Sequence, residues 1–151
     1  MRAKRAIAVI SALLGLVLTT AVPASASTNG TWVAYGNDNP ITGSPAKWEC
    51  AASVVIAENM LAQVCAIRSG GGTGTTVQGA VIVRNNRASV ASASAAVSMW
   101  NPSWLQEWVC NASGVAPHSW SVCFTVSFLC REQVYASGDA KGKNLWRTDY
   151  I

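Results

Sequence analysis

Residues 91–99 read Ala-Ser-Ala-Ser-Ala-Ala-Val-Ser-Met. This is a period of two that an extended strand turns into one apolar and one polar face. Ala91, Ala93, Ala95, Val97 and Met99 share a side, with Ser92, Ser94 and Ser98 opposite. Upstream, Thr75 to Arg84 places Val77, Gly79, Val81 and Val83 on one face. The two runs flank Asn85-Asn86-Arg87 and are expected to pair as a hairpin. A two-residue loop would turn the alanine row to the wrong side, so a three-residue loop or a bulge is expected. A second alternation runs from Ser119 to Cys130. Trp120, Val122, Phe124, Val126, Phe128 and Cys130 share one face, and Ser119, Ser121, Cys123, Thr125 and Ser127 the other.

Between these runs, Asn101-Pro102 followed by Gln106 and Glu107 reads as a capped helical turn over 101–108. Trp100, Trp104 and Trp108 would then line one side of it. Glu132 to Gly138 supplies a further strand and Asp139 to Lys143 a turn. Ser69-Gly70-Gly71-Gly72-Thr73-Gly74 is a loop, without the lysine of a phosphate cradle. The sum is an all-β chain, a small disulfide-bonded β-sandwich with an extended N-terminal tether.

The chain begins with Arg2, Lys4 and Arg5, an apolar run from Ala6 to Val22, and Pro23-Ala24-Ser25-Ala26. That order of basic, apolar and small residues is the layout of a secretory signal peptide over 1–26. The expected destination is the extracellular space. Setting aside its three bases leaves eight of eleven Lys and Arg against seven acids. A near-neutral, dispersed charge argues against nucleic acid as a partner. No later run is long enough to span a bilayer, so no membrane association is expected after cleavage.

Five cysteines entering an oxidising space are expected to form disulfides. Trp48 to Ser69 has fair helix propensity, yet a helix would hold Cys50 and Cys65 about 22 Å apart. A hairpin turning near Glu58-Asn59 brings them together, so strands and a Cys50–Cys65 bridge are favoured. Alternation puts Cys123 and Cys130 on opposite faces and leaves Cys110–Cys123 as the second bridge. Cys130 is then a buried thiol, with an intermolecular bridge as the alternative.

Residues 27–47 form a separate block rich in Gly, Asn and Pro, leading into a domain over 48–151. Within the block, Thr31-Trp32-Val33-Ala34-Tyr35 has β-propensity. It is either the first strand of the domain's own sheet, a disordered end, or a strand that pairs with a partner's sheet edge.

No catalytic, metal or cofactor site is expected. His118 is the sole histidine, no C-x-x-C or G-x-S-x-G occurs, and the seven acids are scattered. The unusual resource is seven tryptophans. Indoles anchor protein interfaces and stack on sugars. Other secreted protein subunits are therefore the expected partners. The alternatives are a carbohydrate- or cell-wall-binding module using Trp100, Trp104 and Trp108, or a small extracellular protease inhibitor.

An Ala-rich signal, a polar tether and a compact disulfide-bonded β-domain resemble small secreted proteins of actinomycetes. Among these, the layout over 27–151 is most similar to the adaptor subunits of umbrella toxin particles. The resemblance implies a protein that joins a lectin-like subunit to a toxin-bearing stalk. It implies that Thr31, Trp32, Val33, Ala34 and Tyr35 insert as a strand into the lectin-like partner. Gly36 to Lys47 would then be the link, and Trp48 onward the core.

Overall fold

A computed structural model describes residues 27–71 and 74–151, so the signal segment expected over 1–26 lies outside the described residues. In chain order the strands are β1 (Thr28–Asn29), β2 (Thr31–Gly36), β3 (Lys47–Cys50), β4 (Val54–Ala57), β5 (Met60–Ser69) and β6 (Thr76–Asn85). They continue as β7 (Ala91–Asn101), β8 (Trp104–Val115), β9 (Ser119–Phe124), β10 (Phe128–Leu129), β11 (Tyr135–Ala140) and β12 (Lys143–Arg147). The first sheet has the order β1-β8-β7-β11-β12, and the second the order β2-β9-β6-β5-β3. β10 adds to β6 and β4 to β5. The all-β, disulfide-bonded reading of the sequence stands.

The main core fills the space between the sheets. Val64, Val77, Val81 and Val83 of the second sheet meet Val97, Met99, Trp108 and Leu145 of the first, all fully buried. At Gly79 the layers touch so closely that a Cβ would stand 2.7 Å from both Met99 Sδ and Val97 Cγ1. The outer face of the second sheet is apolar too. Cys65, Ile67, Ala80, Ile82 and Val122 are covered there by Ile41, Ala46, Trp48 and Phe124. A strand buried on both faces loses its alternation, which is why Met60–Ser69 reads as a nearly continuous apolar run.

The expected hairpin over 75–100 is not formed. β6 and β7 belong to different sheets and face each other across the core. The predicted apolar faces do meet, by stacking rather than by edge pairing. Asn85 fixes this corner. Its buried Nδ2 approaches the carbonyls of Ser89, Val115 and Ala116 at 2.9–3.0 Å, and its Oδ1 accepts the Arg87 N–H. The helical turn expected over 101–108 is also absent. Asn101 Oδ1 accepts the N–H groups of Ser103 and Trp104, closing a tight turn from β7 into β8.

The single strand expected over 119–130 is broken. Phe124 opposes Ala80, but Phe128 opposes Val77, so one extra residue is inserted. Thr125 occupies the break, its hydroxyl accepting the Gly79 N–H at 2.9 Å. A one-residue shift reverses the facing of every side chain beyond it. Phe124 therefore packs on the outer cluster while Phe128 and Cys130 pack against the main core. Trp120 is half-buried on the outer face beneath the Arg84 guanidinium, 4.9 Å from its ring centroid. The turn expected over 139–143 narrows to Lys141-Gly142, both at positive φ.

Cys50 pairs with Cys65 between neighbouring strands, and Cys110 with Cys123 between the two sheets. Cys130 is free and half-buried. Arg68 fastens the chain end, donating to the carbonyls of Cys130, Glu132 and Ile151.

Candidate functional site

Residues 27–36 do not hang free as a tether. Thr28 and Asn29 run parallel to Trp108 and Val109 in the first sheet. The Gly30 N–H still bonds Val109 O, and from Thr31 the chain pairs antiparallel with β9 in the second sheet. The segment thus steps from one sheet to the other over the Cys110–Cys123 bridge. The physical cause is Trp32. Its half-buried indole packs against the main core, and its Nε1 donates to Asn111 O at 2.8 Å. This partial burial lowers the cost of an exposed indole within the chain itself.

Of the five residues singled out in this segment, Trp32 and Tyr35 are half-buried, Tyr35 lying 6.4 Å from Phe124 on the outer cluster. Thr31, Val33 and Ala34 are exposed. Among the described residues β2 ends its sheet and pairs only with β9. Its other edge carries peptide N–H and C=O groups available to a further strand.

A second feature lies on the outer face of the first sheet. Trp100, Tyr135 and Arg147 come from the adjacent strands β7, β11 and β12. The Trp100 and Tyr135 rings are stacked at 5.9 Å with planes 5° apart, and the Arg147 guanidinium sits 5.1 Å from the Tyr135 centroid. Trp100 Nε1 is held by Ser137 Oγ at 2.9 Å. Beside this row an open groove of about 650 Å³ is lined also by Ser98, Asp139, Asn144 and Trp146. Burial pushes the Asp139 carboxyl above the ordinary aspartate range.

The three tryptophans expected to share one side are divided between two faces. Trp104 and Trp108 turn inward onto Phe128, at ring distances of 4.9 and 6.1 Å. Only Trp100 faces outward. Sequence reasoning missed its companions because Tyr135, Asp139 and Trp146 are brought to the same face by the pairing of β11 with β7 and of β12 with β11, which leaves no local mark.

His118 is an exposed turn residue at φ 51°. Ser119 Oγ donates to Ala116 O at 2.7 Å, so that hydroxyl is engaged with the backbone. Among the described residues no group of three or more His, Cys, Asp or Glu side chains is placed to hold a metal ion. No described helix is long and apolar enough to cross a membrane. Two disulfides suit an oxidising compartment.

Fold and bridges together define the class: an all-β disulfide-bonded protein of two packed sheets, with an edge strand and an aromatic groove as its open features. No protein-family model matches the chain, and neither a curated protein nor a solved structure matches it.

Proposed function

We propose that this chain is a secreted, non-enzymatic protein that works by protein–protein contact, as the adaptor subunit of an actinomycete antibacterial toxin complex. Its N-terminal segment acts as a strand shared with a partner. The observation that carries the reading is the position of β2 at the end of its sheet, with Thr31, Val33 and Ala34 exposed. Trp32 anchors the strand to its own domain while the far edge stays open to a partner's backbone. In this form the strand completes a sheet that continues into the second protein, and the expected insertion becomes edge-to-edge augmentation. The signal-like residues 1–26 and the two disulfides support export. The engaged Ser119 hydroxyl and the turn position of His118 support a role without catalysis.

The test is affinity recovery of the tagged full-length protein from culture supernatant, with co-purifying proteins identified by mass spectrometry. Wild type should bring down a lectin-like subunit and a stalk subunit in fixed ratio. Val33→Lys combined with Thr31→Lys places charge on the exposed edge strand and should abolish recovery, with the circular dichroism and melting of the protein retained. A protein always recovered alone, or partner recovery unaffected by the double substitution, would overturn the proposal.

A further inference from the structure

We propose that the groove on the outer face of the first sheet is a carbohydrate-binding site, taking uncharged pyranose rings of a glycan against Trp100, Tyr135 and Trp146. The inference is independent of the strand-sharing role.

Three observations carry it. The first is Trp146. Its indole is 70% exposed at the groove rim. Its backbone sits at φ 65°, a conformation that bulky L-residues rarely adopt. Asn144 Oδ1 accepts the Trp146 N–H at 2.6 Å and holds it there. The fold thus sustains a strained backbone to present an indole that packs little surface of its own.

The second is the polar lining. Asp139 and Arg147 carry opposite charges in one groove. Burial raises the Asp139 carboxyl above the ordinary aspartate range. The Arg147 guanidinium lies over the Tyr135 ring. Asn144 spends its Oδ1 on the backbone, which leaves its amide N–H groups to donate. An acceptor and several donors therefore stand beside aromatic surface. Each sugar hydroxyl both donates and accepts, so neighbouring hydroxyls suit such a mixed set.

The third is shape. The groove is open, so it cannot exclude water from a wholly apolar ligand. A pyranose has an apolar face of C–H groups and a polar rim, and it gains from both parts of this lining. Trp100, pinned through Ser137 and stacked on Tyr135, is preorganised to receive it.

The probes are chitohexaose and cellohexaose, titrated into the disulfide-bonded protein and followed by tryptophan fluorescence and by amide chemical shifts. Saturable binding of at least one, with shifts centred on residues 98–100 and 135–147, is expected. Trp146→Asn keeps a residue tolerant of positive φ and should weaken that binding about tenfold. Asp139→Asn, which removes a strong acceptor, should weaken it several-fold. Melting of Trp146→Asn should stay near wild type, and that of Asp139→Asn should not fall below it. The two sugars separate an acetamido-bearing glycan from a plain glucan. Saturable binding of neither, shifts centred elsewhere, or unchanged affinity in Trp146→Asn would overturn the inference.

Discussion

The indole Nε1 of Trp32 donates a 2.8 Å hydrogen bond to the carbonyl of Asn111, tying the edge strand of one sheet to the outermost long strand of the other. The crossing between them is made at Gly30. A Cβ there would stand 2.7 Å from Cys110 Sγ and 2.9 Å from the Phe124 carbonyl oxygen. Gly30 therefore lets the chain pass directly over the inter-sheet bridge.

Gly30→Ala must push the strand off that bridge. The expected loss is about 1–3 kcal/mol of stability by chemical denaturation. Hydrogen exchange should rise first in the amides of residues 31–35. Unchanged protection there would show that the segment docks by some other route.

Removing the bridge itself acts on the same region. Cys110→Ala with Cys123→Ala frees a loop spanning 13 residues and is expected to cost about 2–4 kcal/mol. Because Trp32 packs against the same core, its fluorescence should shift to the red in the double variant before global unfolding.

At the corner between the sheets, Asn85→Ala leaves the carbonyl of Val115 and its neighbours without their buried donor. The expected cost is about 2–3 kcal/mol, the scale of unsatisfied buried polar groups. Asn85→Asp should be no milder, since a carboxylate cannot donate to those carbonyls. Equilibrium unfolding of both variants checks this.

Gly79→Ala overpacks the core against Val97 and Met99 and should cost about 1–3 kcal/mol. Val97→Ala relieves part of the clash. In a double-mutant cycle the pair should lose less than the sum of the single changes.

Asp139 gives a pH signature. Burial raises its folded-state pKa above the unfolded value, so the native state holds the proton more tightly. Its contribution is most favourable in acid below the unfolded pKa and is lost as pH rises through the folded pKa. Asp139→Asn should melt slightly higher than wild type at neutral pH, with the gap closing on acidification. Melting curves across the acid range test the sign.

Much of the second sheet was legible locally. Cys50 and Cys65 could only meet if Trp48–Ser69 was extended, and the turn at Glu58-Asn59 lies where the hairpin required it, with Asn59 at φ 54°. The faces of β6 and β7 were legible too, but their relation was not. Apolar rows that meet across a core carry the same pattern as rows that pair side by side. Thr125 hid its break in the same way, because a threonine fits the alternation and the inserted residue shows only against Val77 and Ala80. The outward Trp100 was read with Trp104 and Trp108, since a spacing of four can mark a helix face while alternation in a strand separates Trp100 only across the turn.

The amino-acid sequence alone determined that the chain is built mostly of strands, which residues of β6 and β7 share a face, and which cysteines can reach each other, because period-two burial and disulfide reach are local constraints. Only the tertiary structure decided which sheet each strand joins, that Trp32 is held by its own domain, and that Trp100, Tyr135 and Trp146 meet on one surface. Those outcomes depend on backbone pairing between distant segments, and pairing is chosen by the total burial of both sheets rather than by any one stretch of chain.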